Sequence, residues 1–164
     1  MEWASTTSGA QAVNNNDELN LSLYGRLYNW HAVDDLRGLC PSGWHVPTDG
    51  EWMMLEMELG MTIAQAYSES ERGTDQGTQL KSSASDTPNW NGTNVVGFSA
   101  LPGGWRDHIG FYNISGGSNA MWWSASLSDM STPYYRLLDS GMSGVERFDY
   151  SLQSMGLSVR CVRD

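Results

Sequence analysis

The chain has 164 residues, a formal net charge of −10 and a single lysine, Lys81. That balance argues against nucleic acid or an anionic membrane surface as a partner. No stretch approaches the roughly 20 apolar residues of a membrane span, so membrane insertion by this domain is not expected. Eight Trp, seven Tyr and three Phe can fill the core of one domain, while 18 Gly favour short strands and many turns over long helices.

In chain order, residues 1–20 are polar, with Asn14-Asn15-Asn16-Asp17 as a turn, and read as a loose lead-in to a single domain over 21–164. The start, Met1-Glu2-Trp3, lacks the basic residues and apolar run of a signal peptide. Tyr24 to Val33 is aromatic and roughly alternating, and ten residues leave strand and short helix both open. The clearest local signal is Trp44 to Trp52. Thr48 followed by Glu51 is a capping box, in which each side chain satisfies a free backbone N–H at a helix start. Trp52, Leu55 and Leu59 then share one helical face and Gly60 ends the helix, predicting α-structure over about 48–59. Residues 61–75 read as irregular and acidic, with a second, shorter helix near 76–83. Short strands are expected near 97–102, 120–126, 134–138, 144–148 and 156–163. The fold class is therefore α+β: one or two helices packed on a small, loop-rich antiparallel sheet.

From Ser99 onward two kinds of sequence are interleaved. Ala100 to Arg106, Trp122-Trp123-Ser124 and Leu157 to Asp164 read as a rigid frame. Between those pieces lie residues without periodic logic, the candidate ligand contacts. The first group is Trp105, Asp107, His108, Ile109, Phe111, Tyr112, Asn113 and Ser115. Asn119, Met121, Leu127, Asp129 and Met130 come next. The last are Tyr134, Tyr135, Leu137, Asp139, Met142, Glu146, Phe148, Asp149 and Tyr150. Aromatic, acidic and small residues scattered over a frame suit a binding surface better than a catalytic site, because Tyr and Trp give contact area at low conformational cost. Of the adjacent pair, one tryptophan is expected in the core and the other on the floor of the binding face.

Cys40 and Cys161 are too far apart for a clustered metal site or a Cys-x-x-Cys motif. One disulfide tying the early part of the fold to its last strand is the favoured reading, with two buried free thiols as the alternative. A disulfide would imply an oxidising, extracytoplasmic setting.

Several segments carry a resemblance: Tyr24-Gly-Arg-Leu-Tyr-Asn-Trp30, the run from Arg37 through Cys40-Pro41 to Asp49, Gly97 to Gly104, Trp122-Trp123-Ser124 and Ser158 to Asp164. In this order they resemble the Fibrobacter succinogenes major paralogous domain from about residue 20 to the end. That family is found on surface and secreted proteins of gut-type bacteria and looks like a branch of the C-type-lectin fold. Val46 to Trp52, Gly103-Gly-Trp105 and Val159 to Arg163 are also similar to the formylglycine-generating-enzyme branch. Those enzymes use a nearby pair of cysteines on a copper-binding surface, and here Cys161 stands alone in the last strand, so the activity does not carry over. Other members of the fold are variable proteins of diversity-generating retroelements, in which codons at surface positions of the C-terminal half are rewritten while the frame stays intact. The scattered residues are distributed as that mechanism would leave them.

Catalysis by paired carboxylates, Asp107 with Asp129 or Asp139 beside His108, finds no support in the spacing. His31 and His45 adjoin frame tryptophans and read as core or hydrogen-bonding residues. The Glu-Pro-Asn, Gln-Pro-Asp and Trp-Asn-Asp motifs of calcium-dependent sugar binding are missing from the sequence, so no cofactor is expected; a structural calcium near the Asn- and Asp-rich loops stays open. The sequons at Asn20, Asn91 and Asn113 are assigned no role. The expected function is that of a non-enzymatic receptor or adhesion module, whose ligand is a protein or glycan on another cell or host. Its expected setting is extracellular, at a cell surface or on a phage particle. The alternative is a fixed-specificity domain for polysaccharide or cell wall.

Overall fold

The computed structural model describes residues 3–113, 117–150 and 152–164. Among them five α-helices and ten strands follow the order β1 (Gln11–Val13), α1 (Glu18–Tyr24), β2 (Arg26–Tyr28), α2 (Trp30–Val33), β3 (Trp44–His45), α3 (Asp49–Glu58), α4 (Ile63–Tyr67), β4 (Ser70–Arg72), α5 (Gln76–Leu80), β5 (Trp105–Arg106), β6 (Tyr112–Asn113), β7 (Asn119–Leu127), β8 (Pro133–Asp139), β9 (Val145–Phe148) and β10 (Val162–Arg163). The molecule is a mixed α+β fold built on small antiparallel sheets.

The central sheet is antiparallel in the order β4-β9-β8-β7. Its register pairs Trp122 with Arg136 and Trp123 with Tyr135. Beyond β7 the ladder is prolonged by single bridges, Trp122 to Ser158 and Leu157 to Tyr28, which link β7 through residues 157–158 to β2. Side chains alternate across a strand, so neighbouring tryptophans on β7 point to opposite faces. Both faces are covered. Trp122 packs with Trp52, Trp90, Ala120 and Leu138 beneath α3. Trp123 packs with Trp30, Met121, Tyr135 and Leu157 on the other side. The expectation that one of the pair floors an open surface is thereby corrected: Trp123 is fully buried, and Trp122 nearly so.

Helix α3 begins as expected, with Thr48 and Glu51 forming both hydrogen bonds of the capping box. Its buried face differs from the apolar stripe that the sequence suggested. Asp49, Trp52, Met53 and Glu56 face the sheet, whereas Leu55 and Leu59 are half-buried. The two carboxylates meet three inward-pointing arginines of the sheet. Arg136 on β8 reaches Asp49 at 2.7 Å and Glu56 at 2.6 Å, Arg147 on β9 reaches Asp49 at 2.7 Å, and Arg72 on β4 reaches Glu56 at 2.7 Å. Burial works against the charge of Asp49, but hydrogen bonds from Arg147 and the charge of Arg136 outweigh it and hold its carboxyl below the usual range.

The stretch expected to be a loose lead-in is folded. β1 pairs with β2, and Trp3 is buried. The fully buried Asn29 accepts from the Ala10 amide at 2.8 Å and donates to the Ser8 carbonyl at 2.9 Å, which sews the segment down. The 24–33 region resolves into both alternatives: strand β2, then helix α2 capped by Asn29. Residues 61–75, expected to be irregular, hold α4 and β4. No strand forms at 97–102, where Ala100 makes a single parallel bridge to Lys81. Cys40 and Cys161 form a disulfide with Cα atoms 5.8 Å apart, beside the pairing of β10 with β3.

Candidate functional site

The face of the sheet opposite α3 opens toward solvent over β8 and β9. Alternation sends Tyr135, Leu137 and Asp139 of β8, and Glu146 and Phe148 of β9, to that side. Tyr135 is buried and forms the floor with Met121. Above it Phe148 stacks at 5.6 Å between ring centres, and Tyr150 lies 4.7 Å from Phe148 and 6.1 Å from Tyr135. Tyr150 is 66% exposed, so the trio grades from core to surface. Leu137, Met155 and Trp105 pack half-buried against the same cluster.

Two turns adjoin residues of this cluster: hairpin β5–β6, which begins at Trp105, and the β7–β8 turn. Hairpin β5–β6 is braced by Asp107, whose Oδ1 accepts from the amides of Ile109 at 3.0 Å and Phe111 at 2.8 Å. Ile109 and Phe111 are thereby held outward, Phe111 at 71% exposure, with His108 exposed beside them. The β7–β8 turn repeats the device. Asp129 Oδ1 accepts from the amides of Ser131 at 2.7 Å and Thr132 at 2.8 Å, and hydrogen bonds from Thr132 and Ser131 hold its carboxyl down at about 2. Met130 at the tip is 97% exposed, with Leu127 at the turn's base. Gln153 donates to the Ser131 carbonyl at 3.0 Å, tying the segment after Tyr150 to this turn.

The candidate contacts thus divide. His108, Ile109, Phe111, Met130 and Tyr150 are presented outward, with Leu127 exposed and Leu137, Trp105, Phe148 and Asp149 half-buried. Tyr135 and Met121 are core residues beneath the face. Asp107, Asp129 and Asp139, whose Oδ1 accepts from the Gly141 amide at 2.7 Å, build turns. Tyr134 points to the α3 side and stacks on Arg147 at 4.1 Å, away from the others. Tyr112 stacks on Arg106 at 4.8 Å and donates its hydroxyl to Asn16 at 2.7 Å, while Asn113 pairs with Trp105 in the hairpin. Asn119, Met142 and Glu146 lie half-buried toward the other end of the sheet. There burial and the charges of Glu71 and Asp139 raise the Glu146 carboxyl. Ser115 lies outside the described residues.

Three clefts of about 370, 370 and 380 Å³ lie elsewhere, lined respectively around Gln11 and Ala32, Arg26 and Ser158, and Leu55 and Val96. The aromatic face is open and carries no enclosed pocket among these. No group of three or more His, Cys, Asp or Glu side chains among the described residues could hold a metal ion. No described helix is long and apolar enough to cross a membrane.

The model of the family described as the Fibrobacter succinogenes major domain matches residues 1–163. The chain belongs to that family. The match takes in β1 and Trp3, which the expected domain boundary at residue 21 leaves outside. No curated protein and no solved structure matches the chain. Within this member of the Fibrobacter succinogenes major domain family, the arginine–carboxylate network under α3 is the feature that sequence reasoning missed. The available signal was the pairing of Asp49 with Glu56 two turns on, in a chain whose arginines at 136 and 147 interrupt strand patterns.

Proposed function

We propose that this protein is a non-catalytic ligand-binding module on a C-type-lectin-like scaffold, with its recognition face over β8, β9 and the two braced turns. The observation that carries the reading is the outward display of Phe111 and Met130 on the two turns and of Tyr150 just beyond β9. Exposed aromatic and apolar side chains on a rigid base are the anatomy of an interface anchor. An open face of exposed apolar side chains suits a macromolecule, a protein or glycan on another cell or host, better than a small metabolite. The module works without a cofactor. The disulfide is compatible with an extracellular location, and a cell-surface or phage-particle setting follows from the same reading.

The face is diversified by a retroelement under this proposal, and the exposed positions are the ones expected to vary. Deep sequencing of the gene's 3′ half in a culture of its source is expected to find variation at His108, Ile109, Phe111, Met130 and Tyr150. The turn-bracing Asp107 and Asp129 and the buried Tyr135 should stay fixed. Variation that falls equally on Tyr135 and Trp123 would overturn the diversification reading. A uniform sequence would favour the second reading, a fixed polysaccharide-binding face, for which the neighbouring Phe148 and Tyr150 rings, 4.7 Å apart, offer aromatic surface to sugar rings.

A further inference from the structure

The chain carries nine basic residues against nineteen acidic ones, and most of the nine are committed. Arg72, Arg136 and Arg147 serve the buried network, and Arg37 pairs with Asp35. Lys81 donates to the carbonyls of Asp139 and Met142. Arg106 is stacked on Trp3 at 4.3 Å and on Tyr112. Arg26, Arg160 and Arg163, like Lys81 and Arg106, make no ion pair with a carboxylate among the described residues. Arg26 and Arg160 line one cleft of about 370 Å³, with Tyr24, Tyr28 and Ser158 on its walls and Trp122 contributing to its lining.

The cleft sits across β7 from the aromatic face, on the segment where β2 meets residues 157–158. Its walls are rigid. Tyr28 exchanges backbone hydrogen bonds with Leu157 at 2.8 and 3.0 Å, and its carbonyl accepts from the Trp123 indole at 2.7 Å. Arg160 is held by stacking on Phe98 at 4.5 Å and by donating Nη2 to the Phe98 carbonyl at 3.0 Å. A guanidinium carries five N–H donors, so most of them stay available. The Arg26 guanidinium and the remaining N–H donors of Arg160, beside tyrosines and a serine, match a carboxylate attached to a hydroxylated ring. The field of a protein at −10 disfavours phosphate, sulfate or polyanions, and leaves a single carboxylate as the anion best tolerated.

We propose that this cleft is a binding site for a carboxylated sugar residue of the uronic-acid class, with Arg26 and Arg160 receiving the carboxylate and Tyr24, Tyr28 and Ser158 receiving the ring. The site is independent of the recognition face proposed above.

The test is an amide-NMR titration of the intact domain with sodium glucuronate, glucose, sodium acetate and a dipeptide with a free C-terminus, at constant ionic strength. Glucuronate is expected to give saturable shifts centred on Arg26, Tyr28, Ser158 and Arg160, with glucose and acetate each about tenfold weaker or more. Arg26→Ala should weaken glucuronate about tenfold or more with an unchanged melting temperature, and Tyr150→Ala should leave it unaltered. Arg160→Ala removes packing on Phe98 as well, so Arg26→Ala is the deciding variant. Lack of saturable shifts, equal binding of glucose, or wild-type affinity in Arg26→Ala would overturn the site. Equal binding of the dipeptide would overturn its assignment to a sugar.

Discussion

Asp49 and Glu56 stand two turns apart on the side of α3 that meets the sheet, and between them they neutralise two of three buried guanidiniums. Taking an ion out of water is costly, so such a cluster holds only while every member keeps its partner. Glu56→Gln leaves Arg72 and Arg136 undercompensated in the core and is expected to cost about 3–5 kcal/mol, read from a urea midpoint. A midpoint shift worth less than about 0.5 kcal/mol would mean that water enters the network. The tyrosines of the open face give a second contrast at this scale. Tyr135 lies beneath Phe148, so Tyr135→Ala should cost about 3–5 kcal/mol by opening a cavity, as for other large aromatic truncations. Tyr150→Ala, at the exposed end of the same stack, should leave the melting temperature within about 2 °C while removing contact with a ligand. Equal destabilisation by both would place Tyr150 in the core.

At the scale of elements, His45 joins three pieces of chain. Its Nδ1 meets Asp164 at 2.6 Å and its Nε2 meets Glu51 at 2.7 Å, so β3 is clasped both to the end of the chain beyond β10 and to the first turn of α3. The hydrogen bond with Asp164, then that with Glu51, raises the imidazole above its ordinary 6.5. A group raised on folding stabilises fully below its unfolded pKa, and that contribution fades as the pH rises through the folded value. An NMR titration of the His45 ring should therefore give a pKa above 6.5, and thermal stability should decline as the pH rises from about 6.5 through that value in wild type but not in His45→Gln. A ring titrating at or below 6.5 would refute the clasp. The start of α3 was legible because Thr48 and Glu51 act within one turn, by bonds that short-range sequence encodes. The same logic at Thr62 and Gln65 starts α4, where both capping-box bonds form, yet a five-residue helix leaves too little periodicity to read. Strands of two or three residues, such as β1 and β10, show no period either; they exist because Asn29 and the disulfide bring their partners alongside. Which candidate contacts are exposed was not legible residue by residue, since alternation decides which sheet face Tyr134 and Tyr135 take and the register lies in the pairing with β9.

For the whole molecule, the Cys40–Cys161 bond closes a loop across 121 positions of sequence. In the chain-entropy description, closing a loop of that size restricts the unfolded chain by about 4–5 kcal/mol. Reduction should lower the urea midpoint accordingly while leaving far-UV dichroism of the folded form unchanged; an unaltered midpoint would show that the paired β3 and β10 suffice alone. The double burial of the central sheet and this long-range tie leave the turns free of global duty. Asp107 and Asp129 each brace a turn using donors within four residues of themselves, backbone amides in both cases and the Ser131 hydroxyl as well at Asp129. Each turn is therefore a self-supporting cartridge: a grafted peptide that keeps the aspartate and its two amide donors should seat without retuning the neighbouring turn. Libraries built separately at 108–111 and at 130 could then be combined by simple recombination, making the domain a display platform with two interchangeable tips.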